Sequence, residues 1–115
     1  MFINYTNHPS IAWKEDQICA ANQYGEIVDI PFPGVVPEMD EAGISRLADR
    51  EFEKLYSLKP DCVLCQGEFT LAYALIRKLR DAGIVVVAAC TKRNVIMKDD
   101  IKMSEFKFTG FRKYI

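Results

Sequence analysis

Three short polar stretches carry most of the side chains able to do chemistry: Thr6-Asn7-His8-Pro9-Ser10, Gln66-Gly67-Glu68-Phe69-Thr70 and Thr91-Lys92-Arg93-Asn94. Each follows an apolar run. Together they offer hydroxyls, amides, a carboxylate, two cations and the chain's single imidazole, His8. That inventory suits a phosphate-bearing ligand with ribose and base groups to recognise. Every member also has a plainer reading. Ser10 and Thr70 fit helix caps or first-turn residues, and Lys92 and Arg93 fit a solvated surface. Gly67 fits the steric demand of a tight turn, and Glu68 fits a carboxylate that complements a helix dipole.

The elements that must position these stretches follow from periodicity and punctuation. Met1 to Tyr5 reads as a strand, and Pro9 delays the next helix to about Ile11 to Gln23, with Trp13, Ile18 and Ala21 inward. Glu26 to Ile30 is a second strand, and Pro31, Pro33 and Pro37 keep the next connection irregular. Asp40 is placed to cap a long helix with Ile44, Leu47, Ala48, Phe52 and Leu55 on one face, which Lys59-Pro60 ends. Cys62 to Cys65 is a third strand. The helix after it has Phe69, Ala72, Tyr73, Ile76 and Leu79 on one stripe, with Leu71 and Leu75 beside it, and stops at Asp81-Ala82-Gly83.

Ile84 to Cys90 is an uninterrupted Val-rich run, typical of a parallel strand covered on both faces. Beyond it, Asn94 to Met97 and Glu105 to Phe111 suggest a final β-hairpin turning at Lys98-Asp99-Asp100. The order βαβαβαβ followed by ββ predicts one α/β domain over residues 1–115. The expected architecture is a three-layer, Rossmann-like, mostly parallel sheet with a C-terminal β-hairpin. In such a sheet the three polar stretches share one edge, at the carboxyl ends of the strands, where ligands bind.

Composition narrows the classes further. The chain has 115 residues, 50% hydrophobic and 27% charged, with a formal net charge of −1. That balance argues against sequence-independent binding to long nucleic acid, which leaves a basic footprint. No apolar run reaches membrane-span length, and no secretory signal opens the chain, so a cytoplasmic protein with reduced thiols is expected. Neither a Gly-x-Gly-x-x-Gly fingerprint nor a P-loop is present. Cys62 and Cys65 have redox spacing, but within a strand they point to opposite faces and cannot share a metal. No metal and no cofactor is therefore expected.

Against that background, Gln66-Gly-Glu-Phe-Thr-x-x-Tyr73, Thr91-Lys-Arg93 and Phe106-x-x-x-x-Phe-Arg-x-Tyr114 resemble the small CRISPR-associated Csx-type proteins. A looser echo lies in Asn7-His8-Pro9, and residues 11–59 show no match. The resemblance implies a Rossmann-like fold akin to the CARF sensor domains, and a homodimer that binds cyclic oligoadenylate across its two-fold axis. It further implies a ring nuclease that linearises this second messenger of type III CRISPR signalling without metal, by 2′-hydroxyl attack on the phosphodiester. His8, Lys92 and Arg93 would then be catalytic. Asn7, Ser10, Gln66, Gly67, Glu68, Thr70 and Thr91 would bind the ligand. Two alternatives remain beside it: a non-catalytic module that senses or sequesters the messenger, and a small nucleotide or phosphate-ester enzyme on the same fold.

Overall fold

The central sheet is built on β1 (Phe2–Tyr5), whose four residues are all buried. In the computed structural model, which describes all 115 residues, β1 pairs in parallel with both β2 (Ile27–Asp29) and β3 (Cys62–Cys65). β3 pairs in parallel with β4 (Val85–Lys98), and β5 (Ile101–Lys113) lies antiparallel to β4 at the sheet's edge. The protein is thus an α/β fold with a mixed five-stranded sheet, order β2-β1-β3-β4-β5. Three α-helices pack on it: α1 (Glu15–Asn22), α2 (Glu41–Ser57) and α3 (Phe69–Asp81). No helix is long and apolar enough to cross a membrane.

Strand alternation divides the core in two. Ile3, Tyr5, Val63, Cys65 and Val86 face α2 and α3 and meet Leu47, Ala48, Leu55, Leu71, Leu75 and Leu79. Phe2, Cys62, Leu64 and Val87 face the other way, onto Ala21 of α1, with Trp13, Tyr24 and Phe111 around them. Cys62 and Cys65 therefore lie on opposite faces, and burial pushes both thiols up to about 12. Inside the α2 face, Tyr5 Oη donates to Glu51 Oε1 at 2.5 Å. Burial first and that bond second keep the phenol neutral well above its ordinary range.

Four sequence expectations need correction. The first helix is broken: a 3-10 turn at Ser10–Ala12 precedes α1, which starts only at Glu15, and Trp13 lies extended between them. Phe69 and Tyr73 are not inward residues of α3. They are 89% and 66% exposed, and the buried stripe is Leu71, Ala72, Leu75 and Leu79. Gly67 owes its identity to packing, since an added Cβ would lie 2.4 Å from the buried Phe32 ring. Finally, Thr91 to Asn94 is not a turn. It continues β4 as a strand, because β5 pairs with it from Thr91↔Phe108 to Asn94↔Glu105.

One irregularity interrupts the β4–β5 ladder. The register steps from Cys90↔Gly110 to Thr91↔Phe108, which leaves Thr109 as the extra residue of a bulge, its hydroxyl donating to the Cys90 carbonyl at 3.1 Å. Past this point β4 and β5 run on alone, beyond the end of β3. The radius of gyration is 15.9 Å, against roughly 13 Å for a compact chain of this length, and the long axis spans 52 Å.

Candidate functional site

The strand order reverses between β1 and β3, since β2 is added on one side of β1 while β3 and β4 follow on the other. A crevice outside the carboxyl ends of strands at such a reversal is where open α/β sheets bind ligands. Here the chain leaves β1 into Thr6-Asn7-His8 and leaves β3 into Gln66-Gly67-Glu68. A cleft of about 280 Å³ opens at this point on the α1 face, lined by Thr6, His8, Trp13, Gln17, Leu64, Gln66, Ala89 and Thr91.

The floor of the cleft is held by a network of polar bonds. Asn4, 1% exposed in the middle of β1, donates from Nδ2 to the His8 carbonyl at 2.9 Å and to Asp29 Oδ1 at 2.8 Å. Its Oδ1 accepts from the Thr6 hydroxyl at 2.8 Å. Asp29 in turn accepts from the Ser10 hydroxyl at 2.8 Å and from the Ser10 amide. The loop carrying His8 is thereby fixed at both ends, while the His8 imidazole is left facing the cleft. Gln66 Oε1 accepts from the Ala89 amide at 3.1 Å, so this side chain prolongs the β3–β4 ladder past the end of β3. Trp13 closes one side, packed edge-on to Phe2 with ring centroids 6.3 Å apart.

Of the residues singled out by sequence, His8, Gln66 and Thr91 share this cleft. The others lie around it in other roles. Asn7 is exposed on the β1 loop. Ser10 is held by Asp29. Glu68 is the N-cap of α3 and accepts from the Thr70 amide at 3.0 Å and the Leu71 amide at 2.8 Å. Those backbone bonds, with the Thr70 hydroxyl added, hold its pKa below the usual carboxylate range. The Thr70 hydroxyl is spent on the same carboxylate, at 2.7 Å.

Lys92 and Arg93 diverge, because neighbouring residues of a strand point to opposite faces. Thr91 lines the cleft, so Lys92 points to the far face. Arg93 lies on the near face, where its guanidinium donates to the Ser104 hydroxyl at 3.0 Å. Sequence reasoning missed Asn4, Asp29 and Gln17. A polar residue at the centre of Phe2-Ile3-Asn4-Tyr5 was the available signal, since a buried amide in a strand needs a partner. A larger groove of about 520 Å³, along the start of α2 from Val36 to Arg50, contains none of the predicted side chains.

Fold and cleft together define a small α/β protein with a polar crevice at its strand ends. The chain matches the model of the family described as "Uncharacterized protein MJ1673 family" over residues 1–112, and belongs to that family. No curated protein and no solved structure matches it.

Proposed function

We propose that the strand-end cleft binds a nucleotide second messenger of the cyclic oligoadenylate class and that the protein linearises it. The observation that carries this reading is the single cleft in which an imidazole, two primary amides, two hydroxyls and an indole face one another at the sheet's strand-order reversal. The parallel β2-β1-β3-β4 arrangement, with helices on both faces, supports the Rossmann-like classification that the resemblance implies. Trp13 offers a ring on which an adenine stacks, and Gln66 and Thr91 offer hydrogen bonds to base, ribose or phosphate.

The chemistry requires in-line geometry more than a strong base. A ribose 2′-oxygen attacks the adjacent phosphorus, the bond to the 5′-oxygen breaks, and a 2′,3′-cyclic phosphate remains. The 2′-hydroxyl proton passes to the neutral His8 imidazole, and the departing 5′-oxygen takes up a proton from solvent water. Arg93, whose guanidinium keeps further N–H groups free, would neutralise charge on a ligand extending past the cleft along β4, whereas Lys92 on the opposite face would not reach it. The messenger links the protein to antiviral CRISPR signalling, with a homodimer as the binding unit.

The test is incubation of labelled cyclic hexa- and tetra-adenylate with the protein and a metal chelator, followed by chromatography of the products. Linear fragments ending in a 2′,3′-cyclic phosphate are expected, and His8→Ala should slow their appearance on the order of a hundredfold. An intact, unbound ring would overturn the reading. A bound but intact ring would select the second reading, a sensor or sequestering module. The placement of Lys92 away from the cleft and the Arg93–Ser104 bond favour that second reading, because they leave His8 as the cleft's single ionisable side chain.

A further inference from the structure

The helices leave one part of the sheet bare. Lys78 of α3 pairs with Asp49 of α2 at 2.5 Å, which fixes the side of α3 that faces α2. At about 100° per residue, Phe69, Tyr73 and Arg80 project from the opposite side, toward β4. Arg80 accordingly lines a hollow of about 250 Å³ with Val86 and Tyr114. Val86 packs in the α2 and α3 core, so the even-numbered residues of β4 and their β5 partners share the α3 side. There Ala88, Cys90 and Gly110 make a floor of small residues, and a Cβ at Gly110 would meet no neighbouring atom within 4 Å. An open trough therefore runs between α3 and the sheet edge.

Its cations are arranged at a cost. Arg112 stands opposite Ala88, and Lys107 stands directly opposite Lys92. The bulge at Thr109 creates that second pair. Without the extra residue, Phe108 would oppose Lys92, and Lys107 would lie on the α1 side. Like charges opposed on a strand pair are destabilising. Arg80, Lys92, Lys107 and Arg112 form no ion pair within the chain. The next carboxylate along β5, Glu105, reaches Lys14 at 3.6 Å instead, and Glu68 is spent on the α3 amides. The formal net charge of −1 thus averages over unlike faces.

Exposed rings stand beside these cations. Phe69 and Tyr73, one helical turn apart, are among the most exposed large apolar side chains. The Arg77 guanidinium lies 5.7 Å from the Tyr73 ring centre and steadies it without burying it. A row of anion sites next to free aromatic faces matches a chain of phosphates that carries flat bases. An acidic peptide would use the charge alone.

We propose that this trough binds a short single strand of nucleic acid, its phosphates held by Lys92, Lys107 and Arg112 and its bases stacked on Phe69 and Tyr73. A phosphate between the two lysines removes their repulsion. The residues opposite Arg112 and Lys107 are four apart on β4, so the cation row is roughly 13 Å long and spans a few nucleotides. The trough lies on the other side of the sheet from the cleft, and its ligand is a linear strand.

The test is fluorescence anisotropy of labelled linear RNA and DNA strands of one sequence, roughly ten nucleotides long, titrated with the full chain across a salt series. It needs no cyclic ligand, so it succeeds or fails apart from the cleft reading. Binding of either strand is expected, with log affinity falling linearly against log salt. Lys107→Gln and Arg112→Gln should each make that slope shallower by about 0.7. Phe69→Ala and Tyr73→Ala should each weaken binding about tenfold and leave the slope unchanged. Arg46→Gln, on α2, should change neither.

Lys107→Gln also has a readout without ligand. By removing the opposed charge it should raise the unfolding midpoint at low salt by about 1–5 °C. Failure to bind either strand overturns the proposal, as does equal weakening by Arg46→Gln. Competition by oligoglutamate as effective as that by an unlabelled strand of equal charge also overturns it, in favour of an acidic protein partner.

Discussion

Glu68 illustrates how one carboxylate can be drawn to two roles. Its oxygens accept from the Thr70 and Leu71 amides and from the Thr70 hydroxyl, so both side chains are committed to starting α3. Near a phosphate, a free carboxylate would repel. One already satisfied by backbone N–H groups instead partly neutralises the positive end of the helix. Glu68→Ala is therefore expected to lower stability by about 1 kcal/mol, the usual scale for a lost N-cap. It should leave ligand binding in the cleft within a few-fold of the parent.

Because the folded-state pKa of Glu68 is depressed, its contribution is present above the ordinary carboxylate pKa and fades as pH falls through the folded value. Thermal unfolding of parent and variant should accordingly converge in acid. Curves that stay parallel down to strongly acidic pH would remove the capping role.

At the scale of elements, the junction of β3 with α3 is the most tightly specified place in the chain. Gly67 sits against the Phe32 ring, itself 4% exposed and packed on Tyr5 with centroids 5.2 Å apart. Gly67→Ala must push that ring, and a destabilisation of about 1–3 kcal/mol is expected from overpacking. Combining it with Phe32→Leu, which gives the methyl room, should recover part of the loss. If the single variant unfolds at the parent's temperature, the close approach is not what fixes this residue.

The same junction shows what was legible beforehand. β1, β3, α2 and α3 follow from apolar runs, from Asp40 capping Gly43 at 2.8 Å and from the Lys59-Pro60 stop. The strand-end rule correctly drew His8, Gln66 and Thr91 together. What escaped was tertiary. Thr91 to Asn94 looks like a polar turn because a ribbon exposed on both faces has no apolar period to display, and only pairing with β5 makes it a strand. Asn4 and Asp29 escaped because their partners lie 25 residues apart in sequence.

The whole molecule also carries an alkaline weakness in its sheet. Cys62 and Cys65 are buried on opposite faces of β3, and burial pushes each thiol to about 12, from an ordinary value near 9. Tyr5, on the neighbouring strand, is raised further still, chiefly by burial and then by its bond to Glu51. Each group holds its proton more tightly folded than unfolded. Their stabilisation is thus complete below about pH 9 for the thiols and about pH 10 for the phenol, and is lost as pH rises toward the folded values.

Each thiol contributes a slope of up to about 1.4 kcal/mol per pH unit within that window. The unfolding midpoint should therefore fall progressively above about pH 9 and hold nearly level just below it. Cys65→Ala lowers the midpoint at neutral pH by leaving a small cavity in the α2 face, yet it should flatten the alkaline decline by removing one titrating group. A variant whose decline stays as steep as the parent's would show that the buried thiol of β3 does not set the alkaline limit of the fold.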